Sequence, residues 1–299
     1  MFRLQGVYAP IATPFVGDKI AYDKLEKNLK FWMESDLTGI VVMGSNGEFV
    51  LLTPEEKTEL TRFVCGYVKK RKPVIVGTGA ESTSETIRLN KMAAEAGADA
   101  VLIVTPNYYK GDMADPVLAR FYRDVADTSP LPVILYNMPR NAGINLSAKL
   151  AVELSKHPNI IGIKDSGGNI VQISDMIRNS AEGFSVFAGS ASYLYATLAL
   201  GGTGGTLALA NVFPNECARL QKLFEAGKHK EARDLQMTLI DSNNAVTARW
   251  GIPGLKAALD MIGLYGGDPR PPLVPLDEKN REELRKILAK TGFLPKMGT

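Results

Sequence analysis

The stretch PVIVGTGAESTSETIRLNKMAAEAGADAVLIVTP, residues 73–106, contains the structural unit that decides the fold. Two apolar, β-branched runs begin at Pro73 and Ala100, and a segment with helical spacing at 84–96 lies between them. The sequence STSE from Ser82 resembles a capping box, which marks the start of a helix. Strand, helix and strand in this order predict that the two strands pair in parallel.

Apolar, β-rich runs of this kind occur eight times in the chain. Besides the two above, they are GVYAPIATPF from Gly6, GIVVMG from Gly39, PVILYN from Pro132, IIGIKDS from Ile160, FSVFAGS from Phe184 and GTLALAN from Gly205. Near-continuous apolar strands are typical of parallel sheets whose outer face is covered by helices. Eight strand and helix units favour a (β/α)8 TIM barrel, in the α/β class, over a doubly wound sheet.

The segments between the strands carry helix start signals. In TPEE from Thr53, a capping threonine, a proline and two first-turn acids stand in order, and they predict a helix over 55–70. From Phe224 onwards the pattern changes to helices alone. We therefore predict a barrel over 1–224 and a C-terminal helical extension over 225–299.

The helices of this extension are predicted over 228–250, 254–261 and 277–290. The proline- and glycine-rich sequence YGGDPRPPLVP separates the last two. Such a sequence cannot continue a helix, so it predicts a loop between them. The helices are expected to pack on the barrel rather than to form an independent domain.

Composition narrows the class of protein. With 299 residues, 45% hydrophobic and 22% charged, the chain is typical of a folded globular protein. Its formal charge of +3 is close to balanced, and the basic run at 69–72 suits a helix C-terminus, so no nucleic-acid partner is expected. No charged leader precedes an apolar core at the N-terminus, and no 18 apolar residues run together. We expect no membrane partner and a cytoplasmic location.

Cysteine and histidine are too few to suggest a disulfide framework or a metal centre. Cys65 and Cys217 lie far apart in helical patterns, which favours reduced, buried thiols. The two histidines, His157 and His229, do not have the spacing of metal ligands. Neither a metal nor an organic cofactor is therefore expected.

The strand at NIIGIKDSGG, residues 159–168, ends on a lysine, a residue that is rarely buried. Side chains alternate along a strand, so Lys164 faces away from Ile161 and Ile163. If the isoleucines face the surrounding helices, Lys164 points into the mouth of the barrel, together with Ser166. Active sites of such barrels lie at the C-terminal ends of the strands. A single lysine at a strand end more often reaches out to solvent, so the inference needs a second residue.

Tyr136 supplies that second residue, because it ends the preceding strand much as Lys164 ends its own. Burial without an anionic partner lowers the pKa of a lysine, and the neutral amine can attack a carbonyl carbon to form a Schiff base. A neighbouring tyrosine can move the protons. The turn Ser45-Asn46-Gly47 can offer backbone N–H groups to a carboxylate, and Gly189 ends another strand at the same face. These residues together predict a lyase or aldolase acting on a 2-keto acid.

Two further motifs admit more than one interpretation. Tyr109 lies in a PNYYKG loop, and exposure or a subunit contact is as reasonable there as burial. The glycine-rich run at 201–205 could bind phosphate through bare backbone amides. It precedes the eighth strand, however, at the opposite end of the barrel, which favours a tight turn from helix to strand.

At these residues the sequence resembles the pyruvate-dependent class I lyases that include dihydrodipicolinate synthase and N-acetylneuraminate lyase. Within them it is most similar to the 4-hydroxy-2-oxoglutarate aldolases. The likeness runs from Tyr8 to about Pro272 and rests on long motifs in the expected order. They are GSNGEF (44–49), ESTSET (81–86), VTPNYYKG (104–111), YNMP (136–139), HPNIIGIKDSGG (157–168), AGSAS (188–192), ALANV (208–212) and GIPGLK (251–256).

The resemblance implies roles for individual residues. Lys164 would form the Schiff base, and Tyr136 would transfer protons through Ser45 to Tyr109, which in the family reaches over from a neighbouring subunit. The amides of Ser45 and Asn46 would hold the carboxylate of the pyruvyl group. The resemblance also implies a homotetramer built from two tight dimers.

One departure from the family pattern bears on the substrate. Dihydrodipicolinate synthases usually carry Tyr-Asn-x-Pro-x-Arg-Thr-Gly, in which the arginine binds the carboxylate of the second substrate. Here Asn141 takes that position and Arg140 stands one place earlier. The aldolases carry asparagine there, and they also share the Ser-Asn pair of the GSNGE turn and the KDSGG sequence. Placement matters for a bidentate carboxylate contact, so Arg140 is not a simple replacement.

The leading hypothesis is a class I aldolase that cleaves a 4-hydroxy-2-oxo acid, best fitted by 4-hydroxy-2-oxoglutarate, to pyruvate and glyoxylate. The nearest alternative is the synthase that condenses pyruvate with aspartate semialdehyde, with Arg140 in the role of the displaced arginine. Other 2-keto-3-deoxy sugar-acid lyases also remain open. A phosphate-binding barrel isomerase and a non-catalytic binding protein are the alternatives from other classes.

Overall fold

The computed structural model describes residues 2–295 and shows a closed barrel of eight parallel strands. The barrel strands are β1 Gly6–Pro10, β2 Gly39–Val42, β3 Val74–Gly77, β4 Ala100–Val104, β5 Val133–Asn137, β6 Ile160–Asp165, β7 Ser185–Ala188 and β8 Gly204–Thr206. Each strand pairs with the next along the chain, and β8 closes the barrel by pairing with β1, Gly204 lying opposite Gly6. All eight predicted strands are present, which confirms the (β/α)8 barrel.

Helices follow the strands in sequence and cover the outside of the barrel. They are α1 Tyr22–Glu34, α2 Pro54–Val68, α3 Thr83–Glu95, α4 Asp115–Thr128, the short α5 Pro139–Ala142, α6 Ala148–Leu154, α7 Ile170–Asn179, α8 Leu194–Ala199 and α9 Pro214–Glu225. A short hairpin, Phe15–Val16 with Lys19–Ile20, follows β1. The predicted helices at 55–70 and 84–96 are α2 and α3, each observed within two residues of the predicted bounds.

The two predicted helix starts differ in detail. At α2 the capping box is complete: Thr53 Oγ1 accepts from the amide of Glu56 at 3.3 Å, and the Glu56 carboxylate accepts from the amide of Thr53 at 2.9 Å. At α3, Ser82 Oγ accepts from the amide of Glu85 at 3.2 Å, but the carboxylate of Glu85 binds the guanidinium of Arg88 instead of turning back. The ion pair with Arg88 thus replaces the hydrogen bond that Glu85 would otherwise accept from the amide of Ser82.

Three helices form the C-terminal extension: α10 His229–Asn244, α11 Gly251–Met261 and α12 Glu278–Ala289. The prediction of a single helix over 228–250 was wrong at its C-terminal end, because α10 ends at Asn244 and a π-helical turn, Ala245–Arg249, follows it. A π-helical turn contains one residue more than an α-helical turn, and such turns are frequent near functional sites. The boundary between barrel and extension at 224/225 stays a prediction.

The barrel interior and the layer between barrel and helices are two separate apolar clusters. The interior cluster comprises Leu4, Tyr8, Val41, Ile75, Ala100, Leu102, Ile134, Tyr136 and Phe187. Ile163 packs outward in the helix-facing cluster as predicted, but Ile161 packs on the interior cluster. The prediction for Ile161 was wrong because a β-bulge interrupts the alternation: Val133 pairs with Ile160, and the next residue, Ile134, pairs with Gly162.

The remaining predictions about local structure can be compared directly. Cys65 and Cys217 are both buried free thiols, as expected. The run at 201–205 spans the turn between α8 and β8 and the start of β8, where a side chain on Gly204 would lie 2.0 Å from the carbonyl oxygen of Gly6, so only glycine fits. Among residues 2–295, no helix combines the length and apolar character needed to cross a membrane.

Candidate active site

A cavity of about 540 Å³ opens at the C-terminal ends of the strands. Seven of the predicted site residues line it: Ser45, Asn46, Tyr136, Asn141, Lys164, Ser166 and Gly189. They come from the ends of β2, β5, β6 and β7, and from the loops that follow. The closed barrel thus brings together side chains that are more than a hundred residues apart in sequence.

Lys164 is only 4% exposed and faces the cavity from the end of β6. It pairs across the strands with Tyr136, and its Nζ lies 4.1 Å from the centroid of the tyrosine ring. Within residues 2–295 no carboxylate lies within ion-pair distance of this amine. The lysine is therefore a buried amine next to an aromatic hydroxyl, which is the arrangement that Schiff-base chemistry needs.

The hydroxyl of Tyr136 lies 3.3 Å from the hydroxyl of Ser45. Burial raises the pKa of this phenol, but the positive charge of Lys164 and hydrogen bonds with Ser45, Lys164 and Ser166 outweigh burial, so the pKa is lowered overall. A phenol with a lowered pKa gives up its proton more readily. Tyr136 and Ser45 can therefore pass a proton to or from a group bound at Lys164.

The turn Ser45–Gly47 follows β2 after Met43 and Gly44 and is a single 3-10 turn. The first amides of a helical turn have no partner within it, so those of Ser45 and Asn46 remain available to a ligand at the cavity. Gly47 differs from the prediction. Its amide donates to the carbonyl of Gly44 at 2.9 Å, and it does not line the cavity. The closing hydrogen bond of the turn thus removes Gly47 from the set of carboxylate donors.

Tyr109 does not line the cavity of its own chain. Its side chain is 69% exposed and packs edge-on against Tyr108, with ring centroids 5.1 Å apart. The carboxylate of Glu81 holds the loop by accepting from the amides of Asn107 and Tyr108, both at 2.9 Å. The loop is therefore fixed, but it presents its aromatic rings to the outside.

Asp165, which the sequence did not single out for the site, is fully buried behind the lysine. Its carboxylate accepts from Asn137 Nδ2 at 2.7 Å and from the amides of Gly167 and Gly168 at 3.0 and 3.2 Å. Asn137 and Asp165 are also register partners on β5 and β6. The pair thus joins the two strand ends on the side opposite Tyr136 and Lys164. An aspartate followed by Ser-Gly-Gly at a strand end is the signal that could have identified it.

The far wall of the cavity is formed by polar side chains. Asn243 Nδ2 donates to the hydroxyls of Ser190 and Ser192, both at 2.8 Å, and Arg140 Nη2 donates to the carbonyl of Ala248 at 2.8 Å. None of the lining residues carries a carboxylate, whereas Lys164 and Arg140 are basic. Within residues 2–295 no group of three or more His, Cys, Asp and Glu side chains is arranged to hold a metal ion.

A second buried lysine lies beside the Ser45–Gly47 turn. Lys256 of α11 is 1% exposed, and its Nζ lies 2.8 Å from Oε1 of Glu48, an ion-pair contact off the ideal hydrogen-bond direction. Burial lowers the pKa of Lys256, although the charge of Glu48 offsets part of this effect. Sequence reasoning treated this residue only as part of a motif. A lysine within the apolar run of α11 was the available signal.

Comparison with known proteins agrees with the fold. Residues 3–291 match the model of the dihydrodipicolinate synthetase family. A 4-hydroxy-tetrahydrodipicolinate synthase of Syntrophus aciditrophicus is 36% identical over 98% of this chain and 100% of its own length. A protein of Emericella nidulans named "probable 4-hydroxy-2-oxoglutarate aldolase, mitochondrial" is 37% identical over 96% of this chain and 94% of its own.

Among solved structures, a dihydrodipicolinate synthase from Bacillus anthracis superposes with a TM-score of 0.93 at 33% identity, covering 99% of this chain and 100% of that one. Likeness in sequence and in structure thus extends over nearly the whole chain. The chain belongs to the dihydrodipicolinate synthetase family and is an enzyme of its superfamily of pyruvate-dependent carbon–carbon lyases.

Proposed function

We propose that this enzyme is a class I aldolase that cleaves 4-hydroxy-2-oxoglutarate to pyruvate and glyoxylate. The observation that carries the proposal is the buried amine of Lys164, which has no carboxylate partner among residues 2–295 and lies against Tyr136, 4.1 Å from the ring centroid. An amine in this setting can attack the C2 carbonyl of a 2-oxo acid and lose water to form a protonated imine.

The proposed cleavage uses that imine to accept an electron pair. Tyr136 removes the proton of the C4 hydroxyl, the C3–C4 bond breaks, and glyoxylate leaves as the aldehyde. The bonding electrons move into the imine and form an enamine on Lys164. Protonation at C3 and hydrolysis then release pyruvate and return the free amine. Ser45, 3.3 Å from the Tyr136 hydroxyl, would pass the proton, while the amides of Ser45 and Asn46 would hold the C1 carboxylate.

Charge in the cavity supports a substrate with two carboxylates. The wall carries Lys164 and Arg140 and no acidic side chain. Once Lys164 has formed its imine, Arg140 is the cation left for the second carboxylate of the substrate. Asn141, in place of the synthase-type arginine, and the relative from Emericella nidulans favour the aldolase.

The second candidate is 4-hydroxy-tetrahydrodipicolinate synthase, which the Syntrophus relative favours. In this reaction Arg140 would have to hold the carboxylate of aspartate semialdehyde. Either reaction would use Arg140 for its second carboxylate, so this residue does not separate them. We rank the synthase below the aldolase because Asn141 stands where the synthases carry their arginine.

Borohydride reduction in the presence of pyruvate tests the imine. Reduction should fix one pyruvate-derived adduct on Lys164, detected by mass spectrometry of the intact chain and its peptides. Lys164→Ala should abolish it, whereas Lys230→Ala, at an exposed lysine, should not. The mechanism is wrong if no adduct forms, or if Lys164→Ala traps as much as the unaltered enzyme.

Parallel assays then separate the two substrates. One follows pyruvate release from 4-hydroxy-2-oxoglutarate, and the other follows condensation of pyruvate with aspartate semialdehyde. We expect the first to have the higher kcat/KM. Asn141→Arg should shift the ratio toward condensation, because it restores the synthase-type guanidinium. A higher kcat/KM for condensation in the unaltered enzyme would favour the synthase.

A further inference from the structure

The turn that holds the substrate carboxylate ends in an unfavourable backbone conformation. Glu48, directly after Ser45–Gly47, has φ 57° and ψ 34°, in the left-handed region that residues with a side chain rarely adopt. Such a conformation persists only where surrounding contacts hold it. The contacts of Glu48 therefore show what keeps this turn in place.

The side chain of Glu48 is completely buried and has partners from two distant segments. Oε2 accepts from the amide of Arg270 at 2.8 Å, and Oε1 lies 2.8 Å from Nζ of Lys256. Both partners come after the barrel, in α11 and in the loop that follows it. The C-terminal extension therefore reaches back to the catalytic end of β2.

Lys256 is held as firmly as its partner. Its Nζ also donates to the carbonyls of Thr13 at 2.8 Å and Asp268 at 2.9 Å. Thr13 in turn donates its hydroxyl to the carbonyl of Gly47 at 2.8 Å. The turn is thus held by two contacts: Glu48 follows it directly and is buried, and the hydroxyl of Thr13 binds the carbonyl of Gly47. The ammonium of Lys256 contacts both Glu48 and Thr13.

Stability alone does not explain such a pair. Removing two charges from water is costly, and well-packed apolar side chains often stabilise a core as well as an ion pair does. What an ion pair adds is directional placement of the groups that carry it. Here those groups adjoin Ser45, whose hydroxyl lies 3.3 Å from that of Tyr136.

We propose that Glu48 and Lys256 are positioning residues of the active site: their buried ion pair holds the Ser45–Gly47 turn so that its amides meet the substrate carboxylate and Ser45 meets Tyr136. The inference rests on the proposed Schiff-base function. It assigns the C-terminal extension a part in catalysis, because α11 supplies the lysine. Neither residue contacts the reacting atoms.

The test compares Glu48→Gln with Leu288→Ala, a matched control. Leu288 is fully buried in α12, which packs on α10 and α11 of the same extension, so its truncation should lower stability alone. Both variants are assayed well below their melting temperatures. The readout is the pyruvate concentration that gives half-maximal borohydride trapping, together with KM and kcat for the 2-oxo acid.

We expect Glu48→Gln to raise the half-saturating pyruvate concentration and KM at least tenfold and to lower kcat. Leu288→Ala should leave all three within twofold despite a lower melting temperature. Adding Lys256→Met to Glu48→Gln should cost less than the two single effects combined, because the two residues act as one unit. Unchanged half-saturation in Glu48→Gln, or an equal change in Leu288→Ala, would overturn the proposal.

Thr13→Val keeps the test decisive if Glu48→Gln does not fold. It removes only the hydroxyl that binds the Gly47 carbonyl, and it should raise half-saturation in the same direction by a smaller factor. No change in half-saturation would count against the proposal. If the unaltered enzyme traps no pyruvate, the Schiff-base function fails; if it traps normally and the variants match it, only the positioning role fails.

Discussion

Two lysines are buried among residues 2–295, and their surroundings give them different chemistry. Lys164 lies against the ring of Tyr136 with no carboxylate in ion-pair distance among residues 2–295, whereas Lys256 has Glu48 and two backbone carbonyls. A paired ammonium is a structural cation, and an unpaired amine is a candidate nucleophile. The sequence pointed to Lys164 because it ends a strand, but Glu48 and Thr13 are more than 200 positions from Lys256 and no local pattern reveals them.

Lys164 should control the ionisation of Tyr136. The positive charge of the lysine lowers the pKa of the neighbouring phenol, so Lys164→Met should raise that pKa. The measurement is an ultraviolet titration of phenolate absorbance. Subtracting the curve of Tyr136→Phe from that of the unaltered enzyme isolates this tyrosine, and the same subtraction is made in the Lys164→Met background. Equal pKa values in both backgrounds would contradict the assigned cause.

Asp165 should contribute to stability through the hydrogen bonds that it accepts. Asp165→Ala leaves the amides of Gly167 and Gly168 and Nδ2 of Asn137 without this acceptor. Asn137 is fully buried, and a buried donor left without its acceptor costs roughly 1–3 kcal/mol, whereas the exposed Gly167 and Gly168 can turn their amides to water. We therefore expect a loss of about 2 kcal/mol in the free energy of unfolding. Asp165→Asn keeps one acceptor oxygen and should lose less than half as much. Urea unfolding measures both, and equal losses would show that the acceptor oxygens are not what matters.

Among the secondary-structure elements, local sequence predicted the strands and helices but not the bulge in β6 or the π-helical turn after α10. The N-cap of α2 was predicted because Thr53 and the residues after it are near neighbours, whereas the capping box was predicted at α3 and is complete at α2. The bulge in β6 was not predicted, because it arises where Ile160 and Gly162 pair with consecutive residues of β5. The π-helical turn after α10 was missed for a different reason: its sequence has no feature that distinguishes it from an α-helix.

The cap of α2 gives a prediction at this scale. Thr53→Ala removes the oxygen that accepts from the Glu56 amide, and such losses cost about 1 kcal/mol of stability. Thr238→Ala is the control, since that exposed side chain bonds only to the carbonyl of Asp234 within α10. The control should be neutral or slightly stabilising, because alanine is the better helix former. Urea midpoints at equal slope provide the measurement, and similar losses in both variants would argue against the cap.

At the scale of the whole molecule, the extension is tied to the barrel by polar contacts near the active site. Arg270 binds the carboxylate of Glu56 in α2 at 2.6 and 2.7 Å, and Asn28 of α1 exchanges two hydrogen bonds with the backbone of Tyr265. Pairing with Arg270 lowers the pKa of Glu56. These contacts connect both ends of the chain, and they could not be foreseen from segments with no shared pattern.

The exposed Tyr109 should contribute to the active site of a neighbouring copy in an oligomer. We expect a homotetramer by light scattering, with Tyr109 completing the site of a neighbouring copy, since it does not line the cavity of its own chain. Tyr109→Phe should lower kcat at least tenfold while the molar mass and the borohydride adduct stay unchanged. Tyr108→Phe is the control and should change kcat little. A monomer with full activity would contradict this expectation.

Sequence alone is enough to predict the order of the elements, the barrel, and the strand that carries Lys164, because these depend on hydrophobic periodicity and on residues that are near neighbours. It also brought Tyr136 and Lys164 to adjacent strands, since consecutive strands of a barrel pair. The remaining features came only with the tertiary fold: the inward turn of Ile161, the carboxylate of Asp165 behind the site, and the Glu48–Lys256 pair. These features depend on register and on contacts between distant segments, where a shift of one residue reverses the direction of a side chain.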